Sequence, residues 1–406
     1  MFGSFTINFL ASVRHMSQID FDSLQLRSPF YTESHDQWRA QLRRFVDAEV
    51  APNVDAWEEA GEVPLELWSK ASEIGLLQIG YPEEFGGISE GVDIFHEIIA
   101  SEELAKSGAT GLSSSLTVHN IGLPPVVNHG PQGMKEEVVP QVLAGDKRIS
   151  LGITEPGAGS DVASISTTAT RDGDEYVVNG SKTFISGGTR ADWLTTAVRT
   201  GSLGMGGVSL LLIPMNSEGV CVTKLDKKQG WWCSDTATIY FDNVRVPVCN
   251  LIGEENKGFL PIVDNFNKER LSLTALALGG AKACMEEAAA WAVDRKTFGQ
   301  PLSKHQVIAH KFSDMLQRIN ATQAYMDMCA WQMEQGRLRV QDVSMLKVQA
   351  TETIEFCARE AMQIMGGISY IRGCKSERLY REVRVLAIGG GSEEIMRDLS
   401  SRQLGL

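Results

Sequence analysis

Gly152-Ile153-Thr154-Glu155-Pro156-Gly157-Ala158-Gly159-Ser160-Asp161 stands where the texture of this chain changes. Before it, from 31 to about 145, Trp38, Leu42, Phe45, Val46 and Val50 recur with helical spacing, and Ile94, Ile98 and Leu104 belong to a later series of the same kind. After it, Thr and Val are enriched, and Asp172-Gly173 and Asn179-Gly180 predict tight hairpin turns between short strands. Further strands are expected over 209–214 and 237–241, and the strand texture fades near 247–258. From 258 onward long helical periods rich in Ala, Leu, Met and Glu return, broken at Gly366-Gly367 and Gly389-Gly390-Gly391. A block of strands between two blocks of helices argues against alternating βαβ units. The expectation is an α+β chain: an extension over 1–30, an N-terminal helical domain over 31–148, a central antiparallel β domain over 149–257 and a C-terminal helical domain over 258–406.

Composition narrows the function classes. The chain has 406 residues, enough for two to three domains at roughly 150 residues each. Lys plus Arg number 38 against 51 Asp plus Glu, a net charge of −13 with no dense basic patch, which speaks against nucleic acid as a partner. Seven cysteines are scattered without a Cys-x-x-Cys pair, so neither a disulfide framework nor a zinc site is indicated, and a reduced, cytoplasmic setting is expected. No apolar run reaches the ~18 residues that span a bilayer. The first fifteen residues lack acids and end in Arg14 and His15. They read as an upstream extension before a start at Met16, or as a targeting segment that would direct the chain to the mitochondrial matrix.

Several chemistries lack their usual motif. Gly-x-Gly-x-x-Gly, the phosphate loop, His-Glu-x-x-His and Gly-x-Ser-x-Gly do not occur. The seven His include only one near pair, His305 and His310, poorly placed on one helical face, so no metal site is expected. What remains is the opening stretch, whose glycines and hydroxyls let backbone amides approach a flat or anionic ligand. It reads equally as a glycine-rich connection between domains. Asn179-Gly180-Ser181-Lys182-Thr183-Phe184-Ile185-Ser186-Gly187-Gly188 follows and would pass by itself as a hairpin.

With Tyr81-Pro82-Glu83-Glu84-Phe85-Gly86-Gly87 and Arg295-Lys296-Thr297-Phe298-Gly299-Gln300-Pro301-Leu302, these two segments resemble the acyl-CoA dehydrogenases, in order and spacing, across about 30–405. The resemblance implies a central β-barrel and a C-terminal four-helix bundle. It implies FAD, with Leu151, Ile153, Thr154, Ser160, Phe184, Ile185 and Ser186 on the flavin side of one subunit. Arg295, Phe298, Gln306, Gln363, Gly366 and Gly367 would reach the flavin of a neighbour, which implies an oligomer, a homotetramer in this family. Ser392 and Glu394 resemble the last flavin contacts, and Ser160, Asn267, Arg270 and Gly391 are expected at the substrate. The signature starting at Gln363 departs from the family at Ser369, where Gly is usual, and at Gly373, where an acid or Asn is usual. The electron acceptor implied is an electron-transfer flavoprotein. Two alternatives share the fold: an acyl-CoA oxidase, which tends to be longer at its C-terminus, and an alkylation-response flavoprotein, which carries an added basic domain.

Dehydrogenation between the α and β carbons of a thioester needs a base of raised pKa. Many relatives place a Glu in a Tyr-Glu-Gly-Thr loop before the last helix. Here that position is Gly390, in Gly389-Gly390-Gly391-Ser392. The long-chain and isovaleryl branches carry the base in a Glu-Arg pair on another helix, which resembles Glu269-Arg270. Spacing supports Glu269 independently: Ile262, Phe266, Glu269, Leu273, Leu276 and Gly280 form one helical stripe. A carboxylate there would be desolvated and its pKa raised; otherwise Glu269 would merely balance Lys268 or Arg270 on a solvated face. Glu393 and Glu394 follow Ser392, a good N-cap, and read as first-turn acids complementing the helix dipole. In the expected mechanism Glu269 takes the α proton, while the flavin's ribityl hydroxyl and the Gly390 amide hold the thioester oxygen.

Overall fold

The computed structural model describes residues 28–405. Met16 and all but the last residues of the expected 1–30 extension lie outside them. The N-terminal region is helical: α1 (Glu33–Phe45), α2 (Val54–Ala60), α3 (Glu66–Glu73), α4 (Ile94–Ala105), α5 (Thr110–Leu116), α6 (His119–Gly122), α7 (Pro124–His129) and α8 (Gln132–Leu143). The apolar periodicity builds its core, since Leu42, Phe45, Val46 and Val50 pack with Leu67, Trp68, Ile99 and Leu104. Asp93 caps α4 by accepting from the amides of Phe95 and His96.

Eight strands follow: β1 (Ile149–Gly152), β2 (Thr168–Asp172), β3 (Glu175–Ser186), β4 (Trp193–Arg199), β5 (Val208–Pro214), β6 (Val220–Lys224), β7 (Thr236–Pro247) and β8 (Leu251–Ile252). They form one sheet of order β6-β7-β3-β2-β4-β5-β8, with β1 on β4. The expected closed antiparallel barrel is not what forms. The path is open from β6 to β8, and β1 runs parallel to β4. The physical reason lies at the edges: β8 has only two residues, and β6 is exposed along most of its length, so neither offers a partner for closure. Ala169, Tyr176, Val178, Ile185, Leu194, Leu211 and Ile239 meet in a core on one face. On the other, Ile149, Leu210, Leu212 and Ile252 pack against Val126 and Val138 of the helices and against Ile262.

Asp172-Gly173 makes the expected hairpin, with Asp172 opposite Glu175 and Gly173 at φ 63°. Asn179-Gly180 does not. It sits inside β3, where the pairing with β7 shifts register. Gly180 has φ 144°, and a β-carbon there would lie 2.7 Å from Thr167 Cα, so the glycine serves a bulge and a close backbone approach.

Five helices complete the chain: α9 (Phe259–Asp294), α10 (Gln306–Glu334), α11 (Val340–Met365), α12 (Lys375–Ile388) and α13 (Glu393–Gln403). The expected four-helix set is α9 to α12, and the short α13 docks on α11. Ser392 caps α13 as expected, its hydroxyl accepting from the Ile395 amide at 3.4 Å. A buried network ties the first helices to this bundle: Lys282 reaches Glu102 and Gln323, both at 2.9 Å, and Arg39 reaches Glu102 at 3.0 Å. Four cysteines, Cys233, Cys284, Cys329 and Cys357, are buried apolar fillers, but Cys221 and Cys249 are exposed.

Candidate active site

The stripe on α9 places Glu269 between Phe266 and Leu273, with Ile262 and Leu276 buried on the same side. Burial pushes its carboxyl up to about 7, against the pull of Arg270 and Lys347. The residue keeps a partial opening to solvent, which a substrate would need. Lys268 turns away and pairs with Glu97 at 2.9 Å, so Glu269 is not its solvated counter-charge.

The glycine loop meets this carboxyl. A β-carbon at 390 would lie 3.7 Å from Glu269 Oε1 and 2.4 Å from Leu273 Cδ1, on a backbone at φ 65°. Positions 269 and 390 thus address the same space, and Leu273 fills the room that a side chain at 390 would take. Arg270 is buried, donates to Asn267 Oδ1 at 3.1 Å and lies over the Phe266 ring; its Nε has no partner. Lys347 escaped the sequence reading, and Leu273, read there only as a member of the stripe, has a further part. Lys347 on α11 donates to the Gly391 carbonyl at 2.7 Å, and Leu273 shapes the loop. The signal for Lys347 was its place among Val343, Leu346, Ala350 and Ile354, at the helical period of a buried face.

The two motifs that sequence reading left separable are stapled together. The amide of Thr183 donates to the Thr154 carbonyl at 2.8 Å. Lys182 Nζ, fully buried, donates to Glu155 Oε1 at 2.7 Å and to the Ile153 carbonyl at 3.1 Å. Glu155 also accepts from the Ser166 amide and hydroxyl and the Thr167 amide, and its carboxyl is held down at about 2 by Lys182 and these donors despite burial. Between them Phe184 stands at φ 58° with 69 % of its surface exposed, while Ile185 turns into the sheet core and can offer a ligand only its backbone. Leu151 and Thr154 are half-buried, Ile153 nearly covered, Ser186 half-buried and Ser160 exposed. Nothing lies within 4 Å of a β-carbon at Gly157 or Gly159. An uncovered aromatic ring on a strained backbone, beside open glycine surface, suits a flat heterocycle with phosphates, so these residues fit a flavin nucleotide.

A second group stands far from Glu269. Arg295 follows it by about 26 residues, just past the end of α9 and roughly 39 Å along the axis. Phe298 sits nearby at φ 52°, 97 % exposed, with Gln306 also exposed. Gln363, Gly366 and Gly367 are exposed at the far end of α11 from Lys347. The chain therefore does not bring these six to its own Glu269. Ser392 is half-buried, and Glu394 points to solvent.

His35, Asp93 and His96 come within 4.8 Å of one another, a grouping that sequence spacing did not reveal. The Thr32 amide donates to His35 Nδ1, which leaves the proton on Nε2 for Asp93 Oδ1 at 2.9 Å. A metal on Nε2 would need the opposite tautomer, so the cluster reads as the capped start of α4. Among the described residues no helix is long and apolar enough to cross a membrane.

The chain is similar to known proteins along most of its length. Family models described as acyl-CoA dehydrogenase N-terminal, middle and C-terminal domains match residues 32–146, 150–244 and 256–405. The long-chain specific acyl-CoA dehydrogenase of Rattus norvegicus mitochondria is 36 % identical over 377 residues, 92 % of this chain and 87 % of the relative. A Mycobacterium abscessus chain solved as a probable acyl CoA dehydrogenase is 44 % identical with a TM-score of 0.90, covering 92 % of this chain and 99 % of its own. A Mycobacterium smegmatis glutaryl-CoA dehydrogenase solved with FADH2 is 25 % identical with a TM-score of 0.88, covering 95 % and 96 %. The chain belongs to the acyl-CoA dehydrogenase family, a flavoprotein oxidoreductase acting on acyl-CoA.

Proposed function

We propose that this enzyme converts a saturated acyl-CoA to the trans-2-enoyl-CoA with Glu269 as the base, FAD as its flavin and an electron-transfer flavoprotein as the acceptor. The observation that carries the reading is the Glu269 carboxyl, raised to about 7 and facing the side-chain-free backbone of Gly390. A base with a pKa near the working pH is ionised often enough to act and basic enough to take a carbon-bound proton. When bound, the flavin supplies the hydride acceptor for the β carbon. Leu151, Ile153, Thr154, Ser160, Phe184, Ile185 and Ser186 would hold it, with Ser392 and Glu394 beside the loop. Arg295, Phe298, Gln306, Gln363, Gly366 and Gly367 would serve a neighbouring subunit's flavin in a homotetramer.

The protein's own part is positioning and charge. Glu269 receives the α proton. The Gly390 amide donates to the thioester oxygen as negative charge grows there, a contribution worth roughly a hundredfold or more in rate where such donors have been removed. Gly391, Asn267, Arg270 and Ser160 line the approach of the thioester. The test is anaerobic mixing of the flavin-loaded protein with saturated acyl-CoAs of straight and branched chain. Loss of flavin absorbance with stoichiometric enoyl-CoA is expected from at least one substrate, and none from any would contradict the reading.

A further inference from the structure

We propose that Lys347 is a positioning residue of this active site, which fixes the glycine loop against Glu269 and adds a second positive charge, beside that of Arg270, next to the carboxyl. The inference rests on the reading of Glu269 as the base. Lys347 is 1 % exposed on α11, and its ammonium donates at 2.7 Å to the Gly391 carbonyl, next to the backbone that faces Glu269. A buried ammonium is costly unless its surroundings use the charge.

Charged groups face it from every element that packs there. Glu269 and Arg270 approach from α9, Glu393 from α13 and Arg384 from α12. Burial and the two arginines lower its pKa to about 8, while Glu393 and Glu269 hold the proton on. The coupling is mutual, because Lys347 favours the ionised form of Glu269. Glycines at φ 65° and 100° have a wide conformational range, so a loop of three needs an anchor if its amide is to meet a substrate oxygen reproducibly. The Lys347 ammonium, tied to the last glycine of that loop, is such an anchor.

The experiment compares flavin-loaded wild type, Lys347→Met and Lys347→Gln. The first variant removes charge and donor, and the second keeps a donor while losing the charge. The midpoint of Glu269 ionisation is read by pH-difference infrared spectroscopy with Glu269→Gln as the blank, alongside the acid limb of kcat. Both variants are expected to move that midpoint up by about one pH unit, as loss of a nearby opposite charge does. Lys347→Met is also expected to lower kcat at the pH optimum about tenfold, because the Gly391 anchor is gone. Midpoints unchanged from wild type would overturn the proposal, and should the methionine variant fail to fold, the glutamine variant alone decides. Failure of the underlying reading looks different: Glu269→Gln would itself still reduce the flavin at the wild-type rate.

Discussion

At Gly390 a missing side chain is a structural commitment. The left-handed backbone and the 2.4 Å approach of a β-carbon to Leu273 mean that Gly390→Ala meets both strain and overlap. That variant is expected to lose about 2 kcal/mol of stability and most of its kcat, read by thermal unfolding and steady-state turnover. Glu269 imposes two pH dependences. Activity should rise as pH passes about 7, since in the proposed mechanism the ionised carboxyl is the base. Stability should move the other way. The native carboxyl keeps its proton to about pH 7 and the unfolded one releases it near 4.5, so the native state loses stability as pH climbs between them. Glu269→Gln should therefore gain melting temperature relative to wild type at pH 8 but not at pH 4. The α9 stripe made this residue legible in sequence. Lys347 was not, although it obeys the same period, because a long aliphatic stem on a helix ordinarily carries its charge out to water.

At the scale of elements, Lys182 and Glu155 join β3 to the segment after β1 and so build the surface that carries Phe184. Lys182→Met would leave Glu155 buried without its cation, a loss of about 3 kcal/mol, while Glu155→Gln in the same chain should recover part of it. Chemical unfolding of the single and double variants checks this, and flavin retention should fall with Lys182→Met. The sequence displayed both motifs but not the staple, since nothing local says that a lysine in one strand meets a glutamate 27 positions away. The misread Asn179-Gly180 has the same origin. The dipeptide signals a turn or a bulge alike, and what selects the bulge is remote: Asn179 accepts from the Asn243 amide across the β7 ladder at 2.8 Å. The strand texture located β5 and part of β7, but it broke β3 at Asn179-Gly180 and carried no information about whether the sheet closes.

Across the whole molecule the helix–strand–helix order was readable from periodicity, whereas the proposed homotetramer rested on family resemblance alone. Phe298 and Tyr370 stand 97 % and 90 % exposed, apolar surface of a kind that a neighbouring subunit covers. If the proposed homotetramer forms, Phe298→Ser is expected to weaken it in sedimentation and to raise the flavin dissociation constant by tenfold or more, without altering the Glu269 midpoint. That separation of assembly from chemistry leaves the central claim to one measurement, anaerobic stopped-flow of flavin-loaded wild type and Glu269→Gln with an acyl-CoA that the wild type oxidises. With flavin content matched, the account predicts that the variant binds the thioester but reduces its flavin at least a thousandfold more slowly. Reduction at a rate near that of wild type would contradict it.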